Sequence, residues 1–317
     1  MPPTPAAFAD ALVLTGPTAS GKSGVALELA HRLGCAIVAM DSMTLYRGMD
    51  IGTAKPTAAE QALVPHYLLD KLDPWESGHV AWWLTEAALA CEQIRARGLR
   101  PLFVGGTPLF LKAILHGLFD SPAIDAGIRE RLEDEAGTIG PEALHARLAT
   151  VDAAAAARLH PNDVRRVVRA LEVFEGTGRP ISDWQGSWKN AAAPIPVVAL
   201  DWPKEALNDR IDARIDSMLA AGWLDEARRL MDCEKPLSRE ASQALGYRDL
   251  FEFLTGHADW DATVANIKLH TRQFAKRQRT WFRGLKECVS VSGEGADVAQ
   301  RVAPIFAPRP ETLAPGG

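Results

Sequence analysis

Eight residues near the amino terminus, Gly16-Pro17-Thr18-Ala19-Ser20-Gly21-Lys22-Ser23, match G-x-x-x-x-G-K-[ST] in full. Glycines at that spacing let backbone N–H groups turn inward around an anion, and the start of the following helix adds its dipole. Lys22 supplies a point charge. Ser23 places a hydroxyl where Mg²⁺ on a diphosphate or triphosphate takes an oxygen ligand. The chemistry indicated is the gripping of a polyphosphate, and the loop does not say which one. Asp41 closes the apolar run of residues 36–40. It reads either as a metal-holding acid or as a general base on a substrate docked beside the phosphates. A turn or helix-cap aspartate is the plainer reading. Gly105-Gly106-Thr107 ends another apolar run, leaving a hydroxyl and backbone N–H groups towards the same site; a tight turn is the alternative.

Two further segments carry cations. Residues 271–286 contain Arg272, Lys276, Arg277, Arg279, Arg283 and Lys286 without one carboxylate, and Phe274, Trp281 and Phe282 are interleaved. The cations suit RNA phosphates, while the aromatics read as the buried face of the helix. Arg165, Arg166 and Arg169 follow Asn162-Asp163, which reads as a helix cap. His160 caps or packs, with no second His or Cys at ligand spacing.

The elements that must position these residues alternate. Residues 11–14, 36–40 and 101–104 read as strands, and residues 23–33 and 80–97 as helices. Apolar strands without alternation, each followed by a helix, imply a parallel sheet covered on both faces, with its site at the carboxyl ends of the strands. Residues 125–175 show only helical periodicity. A stretch rich in Gly, Trp and Pro follows to residue 196, and residues 194–200 return as a strand. Helices then run to about residue 286, and the Pro/Gly-rich tail 307–317 reads as disordered. The fold class expected is α/β, with an all-helical insertion. Its sheet core comprises residues 1–118 and 196–317, and its insertion residues 119–195.

Composition narrows the classes further. A chain of 317 residues with 47% hydrophobic and 24% charged residues is globular, which excludes a collagen-like or coiled-coil protein. No run approaches the roughly 20 apolar residues of a membrane helix, and the first residues lack a signal-peptide pattern. Four cysteines without a CxxC pair suit a reducing cytosol, so a cytoplasmic protein is expected; a monomer is expected too, although the sequence does not give the oligomeric state. The net charge of −5 does not oppose RNA binding, because local clustering sets it.

GPTASGKS, DSMTLYRGMDIGTAKPT, FVGGTPLFLKAIL, HPNDVRRVVRALEVFEGTGRP, ALGYRDL and TRQFAKRQRTWFR occur in this order from about residue 11 to 284. Together they resemble the tRNA dimethylallyltransferases; the second and last blocks are far more specific than the first. The resemblance implies a P-loop NTPase-like core. It also implies transfer of a dimethylallyl group from dimethylallyl diphosphate, with Mg²⁺, to the exocyclic amine of the adenosine 3′ of the anticodon. Residues 16–23 would grip the leaving diphosphate, with Arg210 and Arg214 as further candidates. Thr107 would hydrogen-bond the bridging oxygen, and Asp41 would hold and deprotonate the amine. Arg129 would reach the diphosphate or the flipped base.

The anticodon stem-loop would lie against several segments. These are Asp41, Ser42, Met43, Thr44, Thr107 and Arg129; Arg165, Arg166, Val167, Val168 and Arg169; and Gln243, Ala244, Leu245, Gly246, Tyr247 and Arg248. The last is Lys276, Arg277, Gln278, Arg279, Thr280, Trp281, Phe282 and Arg283. The family commonly has Pro and Gln where this chain has Val164 and Arg165, so Arg165 must read a base differently or contact phosphate. Three rivals stand beside this reading: an adenylate isopentenyltransferase, a P-loop small-molecule kinase using Asp41 as base, and an RNA-binding protein with a relic loop. The insertion and the basic C-terminal helix favour a macromolecular acceptor.

Overall fold

The computed structural model describes residues 3–118, 124–185 and 195–307, which form two compact units. Residues 3–115 with 195–307 make a sheet unit, and residues 116–185 a helical one. The tail beyond residue 307 and the stretch 186–194 lie outside the described residues, as does the expected start of the insertion at residue 119.

The sheet has six parallel strands: β1 (Leu12–Thr15), β2 (Cys35–Ala39), β3 (His66–Tyr67), β4 (Arg100–Gly105), β5 (Val197–Asp201) and β6 (Cys288–Ser292). Their order is β3-β2-β4-β1-β5-β6. Every residue of β1 and β2 is buried, which is why their sequences run apolar without alternation. From β1 the chain crosses to β2 beyond β4, and later returns to β5 on the other flank. Such a reversal opens a crevice at the carboxyl ends of the strands. The registers Thr15↔Gly105 and Ala39↔Val104 bring the ends of β1, β2 and β4 level there.

Helices α1 (Lys22–Leu33), α2 (Ala58–Leu63), α3 (Val80–Ala96) and α4 (Pro108–His116) follow the first strands. α1 ends at Gly34 in the left-handed region, with His31 and Arg32 in its last turn where the dipole favours cations. Leu12, Leu14, Leu29, Leu102, Val198 and Phe306 form one core layer. On the opposite strand faces Phe103 meets Phe8 and Trp83, and Trp83 stacks on Phe110 at 4.1 Å. Each such side chain contributes about 1.5–3 kcal/mol on burial.

The helical unit consists of α5 (Ala126–Ile139), α6 (Pro141–Val151), α7 (Ala153–Ala156), α8 (Val164–Thr177) and α9 (Ile181–Gln185). Its core is Leu132, Leu144, Leu148, Val167, Val168 and Leu171. Val167, Val168 and Leu171 fall at helical spacing on the inner face of α8. Val167 and Val168 are therefore fully buried, which corrects their expected contact with RNA. Asp163 occupies the cap position of α8 but makes no capping hydrogen bond; it pairs with Arg166 at 3.5 Å. His160 Nδ1 instead accepts from the Asn162 N–H at 3.2 Å.

The remaining helices return to the sheet unit: α10 (Lys204–Ala220), α11 (Trp223–Met231), α12 (Arg239–Ser242), α13 (Tyr247–Leu254), α14 (Trp260–Arg283) and α15 (Val298–Phe306). Strands β3 and β6 were not expected. β3 has two residues, and β6 is a half-exposed edge of alternating Val and Ser that carries little apolar signal. Among the described residues no helix is long and apolar enough to cross a membrane.

Candidate active site

A cavity of about 890 Å³ opens at the carboxyl ends of β1, β2 and β4. Residues 18–24 line one side, and Asp41, Ser42, Met43, Thr44 and Thr107 another. Arg210, Arg214, Leu245, Tyr247, Phe274 and Gln278 also face it.

Residues 16–23 are held by their carbonyl groups. Arg210 Nε donates to Ala19 O at 2.8 Å, Trp202 Nε1 to Ser20 O at 3.0 Å, and Lys22 Nζ to Pro17 O at 3.2 Å. The Arg210 guanidinium also stacks 4.3 Å above the Trp202 ring. Ala19 adopts φ 61°, a strained value for a residue with a Cβ. With these carbonyls occupied elsewhere, the N–H groups at the start of α1 are left over: among the described residues those of Lys22, Ser23 and Gly24 meet no acceptor. The Ser20 hydroxyl is buried and has no partner among the described residues. An N–H-rich concavity with a helix dipole behind it is an anion site.

The charges around it are coupled. Burial pushes the Lys22 ammonium down to about 8, the Arg214 cation adds to that, and Asp41 opposes it. Arg214 is likewise lowered by burial and by Arg210, against the pull of Asp41. Three cations therefore face one carboxylate, an arrangement that an incoming polyanion completes. A prediction with a defined sign follows for Lys22. An anion binds the protonated amine, whose proton is present below about pH 8 and lost above it. Pyrophosphate affinity of the wild type, relative to Lys22→Met, should fall about tenfold between roughly pH 7 and 9. Calorimetric titration across that range checks it: a ratio flat and near one removes Lys22 from the anion site, and a ratio flat but large means the amine keeps its proton throughout.

Asp41 Oδ1 accepts the Met43 N–H at 2.9 Å, so one oxygen makes the expected turn. Among the described residues Oδ2 accepts no hydrogen bond and remains available. The Thr107 hydroxyl accepts from the Ser42 N–H at 3.2 Å, which directs its own proton elsewhere. Both side chains line the cavity beside Ser23.

Several other expected site residues have different employment. Ala244, Gly246, Tyr247, Gln278 and Phe282 are buried, and of these Ala244, Tyr247 and Gln278 line the cavity and not the outer surface. Arg279 and Arg283 both bind Asp201, at 3.1 and 2.6 Å, and Arg279 is only 15% exposed. They anchor α14 to the end of β5. Thr280 donates to Lys276 O within the helix, and Trp281 packs edge-on against Phe282. Gln243, Arg248, Lys276 and Arg277 are exposed, Arg248 pairing with Glu252 and Arg277 lying over Phe274. In the helical unit Arg165 and Arg166 are exposed. Arg169 and Arg129 share the buried carboxylate of Glu172, at 2.9 and 3.8 Å, and Arg129 also pairs with Glu133.

One residue that shapes the cavity was not foreseen. Glu226, 2% exposed on α11, accepts the N–H groups of Asp50, Ile51 and Gly52 at 2.9, 2.8 and 3.0 Å and the Tyr247 hydroxyl at 2.5 Å. Burial and the neighbouring carboxylate push the Tyr247 phenol far up, so it stays a donor. The segment so held lines the cavity with Ile51, Gly52 and Thr53. Gly52 is required because a Cβ there would strike Trp223 and Tyr247. An acid in the first turn of an amphipathic helix looks like a solvated dipole partner, and its targets lie some 175 positions away.

A Mg²⁺ ion fits this donor set. No cluster of three His, Cys, Asp or Glu occurs among the described residues, while Ser23 offers a hard oxygen at the cavity wall. That suits an ion taking most of its ligands from substrate oxygens and water.

Fold and site together define a P-loop-type α/β enzyme with an anion cradle opposite a carboxylate. The chain matches the model of the IPP transferase family over residues 44–285 and that of the isopentenyl transferases over residues 9–72. It is 46% identical over 286 residues to the tRNA dimethylallyltransferase of Geobacter metallireducens, covering 90% of this chain and 93% of that one. Identity to the Symbiobacterium thermophilum enzyme of the same name is 48%, over 86% of each chain. The crystal structure of a tRNA isopentenylpyrophosphate transferase from Bacillus halodurans superposes with a TM-score of 0.69 at 35% identity, covering 94% of this chain and 96% of that one. A eukaryotic dimethylallyltransferase acting on tRNA gives 0.78 at 26% identity, over 92% and 77%. The chain belongs to the IPP transferase family, whose matched members are tRNA dimethylallyltransferases.

Proposed function

We infer that this protein transfers the dimethylallyl group of dimethylallyl diphosphate to the exocyclic amine (N6) of the adenosine 3′-adjacent to the anticodon of tRNA. The observation that carries the chemistry is one cavity in which free N–H groups and Lys22 face Asp41 and Thr107. A leaving group with two phosphates needs the first side, and a weak amine nucleophile needs the second.

The N–H groups of Lys22, Ser23 and Gly24 and the Lys22 ammonium bind the diphosphate and stabilise the charge that grows on it as the allylic C–O bond breaks. Thr107 donates a hydrogen bond to the bridging oxygen and keeps its proton. Asp41 orients the adenine amine at the allylic carbon, and its carboxylate takes the N6 proton as the C–N bond forms. Ser23 and the substrate phosphates would hold Mg²⁺, which supplies further charge neutralisation. The helical unit, with Arg165 and Arg166 outward, grips the anticodon arm, and Lys276 and Arg277 on α14 add phosphate contacts. The adenine must leave its stack to reach the cavity. The enzyme works as a cytoplasmic monomer.

Mass spectrometry of unmodified tRNA after incubation with the pure protein, dimethylallyl diphosphate and Mg²⁺ tests this. The expected result is a gain of one five-carbon group on the adenosine beside the anticodon. A gain on free adenine nucleotides alone turns the reading to a nucleotide prenyltransferase.

A further inference from the structure

We propose that Gln278 is a positioning residue of the donor site, joining the diphosphate loop to the loop that carries Thr107, and is not a contact of the RNA. The proposal rests on the reading of the cavity as a prenyl transfer site. Its evidence is the placement of one amide. Gln278 is 3% exposed, two turns after Thr271 along the inner face of α14. Its Oε1 accepts the Thr18 N–H at 2.8 Å, and its Nε2 donates to Gly106 O at 2.7 Å. The orientation of the amide is fixed by its partners, since an N–H can meet only the oxygen and a carbonyl only the NH₂.

No other residue could make both bonds at that reach. Glutamate has no donor for Gly106 O, and methionine has neither group. The approach is close enough to dictate its neighbour: a Cβ on Gly106 would lie 2.5 Å from Gln278 Nε2 and 3.3 Å from Gly16 O. Gly16, Gly106 and Gln278 thus form a single junction. One residue on, Thr107 receives the Ser42 N–H and donates its own N–H to Met40 O at 3.3 Å. Through this chain the amide sets the distance between the loop that holds the leaving diphosphate and the hydroxyl aimed at its bridging oxygen. Its neighbours Lys276 and Arg277 point to solvent. The KRQR run therefore divides: two side chains outward for RNA, one inward for the donor, and Arg279 on Asp201.

Gln278→Met keeps the volume and deletes both bonds, and Gln278→Glu keeps only the acceptor while setting a carboxylate oxygen on Gly106 O. Steady-state kinetics, pyrophosphate titration and stem-loop RNA binding are compared in the full-length chain. Losing two buried hydrogen bonds should lower kcat/KM for the donor about ten- to hundred-fold and weaken pyrophosphate, with RNA affinity within about twofold. Gln278→Glu should bind pyrophosphate more weakly still. A loss of RNA affinity with pyrophosphate binding intact overturns the proposal, as does wild-type pyrophosphate affinity in the glutamate variant. A parallel loss of both affinities together with a melting temperature lowered in proportion makes the residue merely structural, and also overturns it. Should the wild type transfer no prenyl group, the functional reading fails on its own, and the pyrophosphate titrations still decide the place of Gln278.

Discussion

Asp41→Asn should lower kcat by about 10²–10⁴-fold, the range that a positioned general base supplies. It should do so while pyrophosphate binds as tightly as before, or more tightly. Asparagine is the informative substitution because its side-chain oxygen can still accept the Met43 N–H, keeping the turn that places the side chain. What changes is charge and basicity. The amide cannot take the N6 proton, so the ammonium formed by C–N bond formation has no nearby acceptor. The sign on the donor is opposite. Asp41 is the one carboxylate felt by both Lys22 and Arg214, and it repels the polyanion that those cations attract. Removing it leaves the cradle more positive. A metal-holding role for Asp41 predicts the reverse, a loss of Mg²⁺-dependent pyrophosphate binding along with rate. The two readings therefore separate in one titration with and without Mg²⁺. An unchanged kcat would falsify the assignment of Asp41 as base.

How far the site could be read in advance depended on the reach of each contact. The loop of residues 16–23, the acid after β2 and the hydroxyl after β4 are local features. Each lies directly after a short apolar run, and a parallel sheet brings the ends of such runs to one edge. Thr107 and Asp41 were legible for that reason, although they sit 66 positions apart in the chain. Residues bonded to distant partners show those partners only in the fold. Arg279 and Arg283 looked like RNA cations because Asp201, about 80 positions earlier, carries no mark that it will neutralise them. Gln278 reads as an RNA contact only because it stands among exposed cations, Lys276 and Arg277.

A signal was present for Gln278. The buried residues of α14 are Thr263, Ile267, Thr271, Ala275, Gln278 and Phe282, and an amide on that stripe must find buried partners. Helical periodicity locates the stripe, but only the folded sheet supplies Thr18 and Gly106. The strands divide in the same way. β1, β2, β4 and β5 are covered on both faces and read as apolar runs, whereas β6, an edge with Val289 47% exposed, reads as nothing in particular.

Glu226 is the extreme case of a distant function, and its removal should have the largest effect on the fold around the cavity. Its Oε2 accepts from Asp50 and Ile51, and its Oε1 from Gly52 and Tyr247. Glu226→Leu leaves these four donors without their acceptor, at up to about 1–3 kcal/mol each where no water enters; only the Tyr247 bond is fully buried, the three amide bonds partly so. Partial opening of the segment relieves some of that. A net loss of about 3–5 kcal/mol is expected, or roughly 5–8 °C in Tm for a chain of this size. Glu226→Gln should cost less, about 1–3 kcal/mol: the Tyr247 hydroxyl can rotate to accept from the new NH₂, and only Gly52 N–H need be orphaned. Tyr247→Phe should cost least, because the carboxylate keeps its three amide donors. The order Leu, Gln, Phe is the test, read by thermal melting. Lys55 supplies the rival anchor: its buried ammonium holds Tyr46 O at 2.8 Å, Asp50 at 2.5 Å and Asp70 at 2.6 Å. A Glu226→Leu protein that melts with the wild type would mean that Lys55 alone fixes the segment. If the order holds, the same variants should also lose kcat/KM in that order, since Ile51 and Gly52 are both anchored by Glu226 and part of the cavity wall.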